Sequence, residues 1–273
     1  MSAKKKVIFC TYSSIYSAKV LECLIADEDI EVVAIINSTR VLNPSYNPIQ
    51  GALYQLKNSG LRYSSYLFLI TDIFKWIQPF SKLHKQPLRD THSLAKMNAI
   101  PIFETRDINL PEAINFIENS KSDYLLCAHF NQLLKEPVLS IESVECINIH
   151  PSLLPSYKGV DPVFYAMQDD VVDIGVSLHR MDKSFDSGEI LSQASITLDK
   201  SKTLLINNCE LFEQGIKLAI AWMRDGEKQS VNSAKNNHLK SENYDSWPTR
   251  NDIKRFKNSG KKLMNLSALW KQQ

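Results

Sequence analysis

Residues 144–159, VECINIHPSLLPSYKG, carry the reading from which the rest of the chain follows. Side chains on a strand alternate between faces, so Ile147 and Ile149 share one face while Asn148 and His150 share the other. Pro151 has no backbone N–H to donate and ends the ladder there. An amide and an imidazole therefore emerge together at a strand's carboxyl end, which in open parallel sheets is the edge where ligands bind. An isolated Asn or His is more often a turn-capping group. The pair rises above that reading because a second polar group, Asp186, follows in the loop SFDSGE, residues 184–189.

Working outward, residues 5–12 (KKVIFCTY before the turn) form a short apolar, β-prone run, the pattern of a buried strand in a parallel sheet. Ser13 or Ser14 caps a following helix whose Ile15, Ala18, Leu21 and Ile25 fall on one stripe. EVVAIIN, residues 31–37, is a second strand, so a right-handed crossover unit is the default. The first turn, Cys10 to Ser14, holds no glycine, which removes the main support for a dinucleotide site. Farther on, IPIF (100–103) and DYLLCAHF (123–130) read as strands, with a helix opening at Pro111 between them. Leu205, Cys209, Phe212, Ile216, Ala219 and Met223 define an amphipathic helix from Thr203, and Gly226 lies past its end. The fold class is α/β, with an open, mostly parallel twisted sheet.

Residues 1–228 are expected to form one domain, with a mainly helical insertion at about 41–95, and residues 229–273 a short C-terminal extension too small for its own core. The insertion has turn signals at Asn43-Pro44 and Asn47-Pro48 and a helix break at Gly60. Its aromatics (Tyr54, Tyr63, Tyr66, Phe68, Phe74 and Trp76) are expected in the core or at a subunit contact ahead of a pocket wall.

The chain has 273 residues, 44% of them hydrophobic, enough for a sizeable core. Its net charge of +2 announces no nucleic-acid footprint, and no nucleic-acid partner is expected. Five widely spaced cysteines without a C-x-x-C pair fit reduced thiols in the cytoplasm. The apolar run 66–80 is interrupted by polar residues and falls short of the roughly 20 needed to span a bilayer, so no membrane partner is expected. The six histidines form no ligand-spaced cluster, and no metal is implied.

Asn148-Ile-His150-Pro-Ser-Leu-Leu-Pro155-Ser-Tyr-Lys-Gly159, then Gly175-Val-Ser-Leu-His179 and Met181-Asp-Lys-Ser-Phe-Asp186-Ser-Gly188, closely resemble the signature of the folate-dependent formyltransferases. That family includes glycinamide ribonucleotide, methionyl-tRNA and sugar-nucleotide N-formyltransferases. The likeness covers residues 100–200 well and the first strand and helix loosely. It implies a Rossmann-like sheet with 10-formyltetrahydrofolate as co-substrate along the carboxyl ends of the strands. It also implies Asn148, His150 and Asp186 as the catalytic trio. Phe130, Gln132, Leu133 and Leu134 would lie beside the pterin, and Asp182, Lys183 and Ser184 on its other side.

The residue types suit that chemistry. When an amine adds to a formyl carbon the oxygen gains negative charge and needs aimed donors, which the Asn148 amide and a protonated His150 supply. Asp186 would orient the imidazolium and relay a proton from the amine toward the departing folate nitrogen. His179 is expected to be a satisfied, near-core histidine, and His129 to touch folate or pack.

For the acceptor, the glycine-free turn Tyr12-Ser13-Ser14 argues against glycinamide ribonucleotide, and the short tail against methionyl-tRNA. This leaves an N-formyltransferase for a small-molecule amine, an amino sugar on a nucleotide among them. Methionyl-tRNA or glycinamide ribonucleotide formyl transfer, and a catalytically silent folate-binding protein, stay as alternatives, and a homodimer is left open.

Overall fold

The computed structural model describes residues 3–41, 45–73, 89–226 and 244–265. A seven-stranded sheet runs through it in the order β3-β2-β1-β4-β5-β7-β8. The strands are β1 Lys5–Thr11, β2 Ile30–Ser38, β3 Ile102–Thr105, β4 Tyr124–Ala128, β5 Glu145–His150, β7 Asp173–Arg180 and β8 Ile190–Thr197. The first five are parallel, and β7 and β8 return antiparallel along one edge. The chain moves outward from β1 through β2 to β3, then crosses to β4 on the other flank. The carboxyl ends of β1 and β4 thus border a topological switch point, the usual ligand crevice of such sheets.

The alternation that defines strands also divides the core. Val7, Phe9, Leu126, Ile147 and Ile149 face one side, under α1 (Ile15–Ala26) and α7 (Leu204–Asp225). Ile8, Cys10, Leu125, Cys127 and Cys146 face the other, packed with Ala113 and Ile117 of α4 (Pro111–Ser120). A sheet covered on both faces explains why β1 and β4 read as unbroken apolar runs. Ser14 caps α1 in a reciprocal capping box with Ser17, and Thr203 caps α7, which ends at Gly226. A short helix, α5 (Glu136–Leu139), follows β4.

In the insertion, Asn47 and Gln50 form a capping box for α2 (Pro48–Phe68), and the chain leaves helical dihedrals at Gly60 before resuming. A single π-helical turn, Leu69–Ile73, and α3 (Thr91–Met97) complete its described part. Tyr63 and Tyr66 are buried in the main core, whereas Tyr54 and Phe68 are exposed. Phe74 and Trp76 lie outside the described residues. Tyr66 and Tyr16 of α1 join hydroxyl to hydroxyl, which ties the insertion to the sheet layer.

After β5 the chain forms β6 (Lys158–Gly159) and α6 (Pro162–Gln168). The described tail supplies β9 (Tyr244–Asp245), paired with β6, and α8 (Arg250–Asn258). Ile253, Phe256 and Leu263 enter the main apolar cluster, with Phe256 stacked on Phe164 at 4.5 Å between centroids. A buried phenylalanine contributes about 1.5–3 kcal/mol, so the tail is held by the core it covers. Arg250 of α8 also donates to the Leu56 carbonyl of α2 at 3.0 Å.

Candidate active site

β5 delivers Asn148 and His150 to the sheet's carboxyl edge, as the alternation of INIH requires, with Ile147 and Ile149 buried beneath. Because β7 runs antiparallel to β5, Asn148 faces His179 and His150 faces Ser177. Directly opposed residues share a face of the sheet, so an amide and two imidazoles crowd one spot. The loop after β7 then curls back and brings Asp186 over them.

The contacts are mutual. Asp186 Oδ1 lies 3.3 Å from His150 Nδ1 and 3.9 Å from His179 Nε2, and Asp186 Oδ2 accepts from the Gly159 N–H at 2.9 Å. His150 Nε2 is 3.0 Å from the Tyr157 carbonyl, and Asn148 Nδ2 is 3.0 Å from His179 Nε2. His179 Nδ1 is 2.7 Å from the Arg180 carbonyl. A carbonyl only accepts, so His179 carries its proton on Nδ1. Burial, and after it the neighbouring His150, push the His179 pKa down, and a neutral ring leaves Nε2 as an acceptor for the Asn148 amide. His150 differs, since both its ring nitrogens face oxygen, an arrangement in which the doubly protonated ring is satisfied.

His179 is thus buried and satisfied, as expected, yet one of the groups that satisfy it is Asn148. The signal for this lies in the pairing of INIH with IGVSLHR, and a single segment read alone does not contain it. The carbonyl of Tyr157 is likewise invisible to a reading of side-chain types.

The loop after β4 and the acidic loop lie close enough to be joined by Lys183 and Glu136, 2.9 Å apart. In the first loop, Gln132 is 1% exposed, and its side chain accepts from Ile108 N–H at 2.7 Å and donates to Ser38 Oγ and the Thr105 carbonyl. Leu134 is also buried. Phe130 packs partly exposed on the second apolar cluster, and the Leu133 carbonyl accepts from Asn109 at 3.0 Å. Asp182, Lys183 and Ser184 are exposed. Of the two groups predicted beside a pterin, Gln132 and Leu134 turn inward and hold the loop from below. Phe130 and the 182–184 segment keep accessible surface.

His129, at positive φ, has Nδ1 3.0 Å from the Tyr12 carbonyl and packs edge-on to Tyr16. Burial holds its pKa below the ordinary histidine value. Among the described residues, no helix is long and apolar enough to cross a membrane.

Known proteins share parts of this chain's sequence and its fold. The methionyl-tRNA formyltransferase of Thermotoga neapolitana is 30% identical over 147 residues, 54% of this chain and 47% of that protein. The chain spans about half the length of the curated relatives it matches. The phosphoribosylglycinamide formyltransferase of Bacillus halodurans superposes with a TM-score of 0.52 at 17% identity, covering 86% of this chain and all (100%) of the other. A sugar N-formyltransferase from a Shewanella species gives a TM-score of 0.51 at 16% identity, covering 96% of this chain and 81% of that one. At these identities the two structures speak to the fold alone. The formyl transferase family model matches residues 46–214, which hold β4, β5, β7 and every residue of the Asn148, His150, His179 and Asp186 cluster. With more than half of its length matched, and with that sheet beneath the match, this chain belongs to the formyl transferase family.

Proposed function

We propose that the chain is an N-formyltransferase that moves a formyl group from 10-formyltetrahydrofolate to a small-molecule amine, with Asn148, His150 and Asp186 as its catalytic residues. The observation that carries the reading is the 3.3 Å contact of His150 with Asp186, made beside Asn148 at the ligand edge of the sheet. In the reaction the amine nitrogen bonds to the formyl carbon, the bond from that carbon to the folate nitrogen breaks, and one proton passes from amine to folate nitrogen. The intermediate carries an oxyanion. One N–H of Asn148 is committed to His179, which leaves the second to meet that oxygen. His150, whose ring nitrogens face Asp186 and the Tyr157 carbonyl, supplies a second donor beside it by turning from that carbonyl. Asp186 is anchored by the Gly159 N–H and carries the proton, directly or through water.

The acceptor we favour is an amino sugar carried on a nucleotide, because the turn after β1 lacks the glycines of a phosphate cradle and the net charge is small. Phe130, Leu133 and residues 182–184 are the surface on which the folate would rest, in the cytoplasm and without a metal. The test is to incubate the protein with 10-formyltetrahydrofolate and a panel of amines and follow release of tetrahydrofolate. Asn148→Ala and Asp186→Ala should each lower turnover about a hundredfold or more. Turnover unchanged in either variant refutes the mechanism, and tight folate binding without turnover on any amine favours a silent binding protein.

A further inference from the structure

Residues 157–161, beyond the proline stop of β5, present two backbone groups to the histidine and the aspartate proposed above as catalytic. The Tyr157 carbonyl lies 3.0 Å from His150 Nε2, and the Gly159 N–H donates to Asp186 Oδ2 at 2.9 Å. The chain bends sharply to do so. Tyr157, Gly159 and Asp161 sit at φ +56°, +110° and +54°, a region that is unfavourable for the tyrosine and tolerated by the aspartate. Such backbone persists where the contacts around it over-determine it.

Those contacts come from different parts of the molecule. Tyr157 Oη donates to Asp169 Oδ2, at the end of α6, at 3.1 Å. The tail pairs β9 with Lys158 and Gly159, and the Val160 N–H donates to the Asp245 carbonyl at 2.8 Å. The insertion supplies Tyr63, whose Oη donates to Asp161 Oδ2 at 2.7 Å. Local structure puts that hydroxyl there. α2 leaves helical dihedrals at Gly60 and resumes, so that Tyr63 and Tyr66, close to one turn apart, share a face. Tyr66 meets the Tyr16 hydroxyl of α1, while the buried Tyr63 ring packs edge-on against Phe164 of α6 and Trp247 of the tail. A phenylalanine ring would fill the same space. The hydroxyl adds a hold on Asp161, whose carboxyl also bonds Asn208 of α7. With Tyr157 tied to Asp169 and Asp161 tied to Tyr63, the peptide groups between them cannot turn without breaking one of the two holds.

We infer that Tyr63 is a positioning residue: through Asp161 it holds residues 157–161 in the conformation that aims the Tyr157 carbonyl at His150 and the Gly159 N–H at Asp186. It touches no reacting atom. Its effect on turnover rests on the formyl-transfer reading above, whereas its hold on Gly159 does not. The insertion thereby acts on the site from a distance, through one hydroxyl and the backbone beyond it.

Lys158-Gly159 is the one Lys-Gly pair in the sequence, so carbonyl-labelled lysine with nitrogen-labelled glycine identifies the Gly159 amide by NMR in the full chain. In Tyr63→Phe, which keeps the ring, this amide should exchange with solvent about tenfold or more faster, while the Gly51 amide in the first turn of α2 is unchanged. Over the same substitution kcat should fall about tenfold, with KM within about twofold. Tyr66→Phe deletes a hydroxyl from the same face of the same helix and should change neither readout. Asp161→Asn, which still offers Tyr63 an oxygen, should lie between the parent and Tyr63→Phe in both. Unchanged Gly159 exchange in Tyr63→Phe, an equal response in Tyr66→Phe, or faster exchange with unaltered kcat in an active protein overturns the inference. Faster Gly159 exchange in a protein that transfers formyl to no amine rejects the transfer reading and leaves the hold of Tyr63 standing.

Discussion

At the scale of single residues the informative group is His179, because it touches no reacting atom in the proposed mechanism and still decides which way Asn148 faces. Its Nδ1 proton is fixed by the Arg180 carbonyl, so Nε2 must accept, and the Asn148 amide must present nitrogen to it. His179→Gln offers an amide donor or acceptor in either orientation and keeps the hydrogen bond available. His179→Phe removes it. We expect His179→Phe to lower kcat about tenfold to a hundredfold with little change in KM, the cost of a slightly misplaced donor, and His179→Gln to recover part of the loss. Equal kcat in both variants and the parent would show that Asn148 needs no such support. That Asn148, His150 and Asp186 come together was legible in the sequence because they lie in register across two segments with recognisable stops, Pro151 and Gly188. His179 was not legible as their partner, since its meaning depends on which strand lies beside β5 and in which direction it runs.

At the scale of elements, the site is assembled where β6 pairs with β9. Gly159 sits at φ +110°, and a Cβ there would stand 2.2 Å from the Asp245 carbonyl oxygen. The same residue donates its N–H to Asp186. Gly159→Ala should therefore disturb tail and site together, lowering Tm and cutting kcat about tenfold or more. Gly226→Ala is the comparison. That glycine has φ +63° with nothing among the described residues within 4 Å of a built Cβ, so backbone strain of about 1 kcal/mol is expected, with kcat untouched. If both alanine variants keep full kcat, Gly159 is not an anchor for Asp186. The strands and long helices could be read from periodicity, since β1, β4 and α7 bury regular patterns. The two-residue pairing of β6 with β9, and α8 with its polar sequence, could not. Their stability comes from neighbours distant along the chain, such as Phe164 under Phe256, and local propensity says little about them.

For the molecule as a whole, buried titratable groups set how stability varies with pH. Burial pushes the Asp161 carboxyl up to about 6 from an ordinary 3.8, against the opposing hydrogen bond from Tyr63 Oη at 2.7 Å. The folded state thus holds this proton more tightly than the unfolded chain. That stabilisation is complete below about pH 3.8 and is lost as pH rises through about 6. His129 and His179 act in the opposite sense. Burial lowers both from 6.5, so their contribution is present above that pH and is lost as pH falls through their depressed values. Asp161→Asn keeps an acceptor for Tyr63 and deletes the first effect. It should raise stability at pH 7.5 by about 1–3 kcal/mol, with no gain at pH 4, as read by Tm across a pH series. An equal gain at both pH values would mean that ionisation of Asp161 costs the fold nothing.

The antiparallel return of β7 along β5 has one further consequence. Sliding one strand past the other by a single residue would set Leu178 or Arg180 where His179 stands and turn the imidazole to the opposite face. Under the proposed mechanism, turnover would therefore also be a readout of strand registration. A change in the length of the link at residues 169–172 has two possible fates: absorbed as slack it passes unnoticed by the chemistry, and transmitted as a slip it silences the site while leaving a folded sheet.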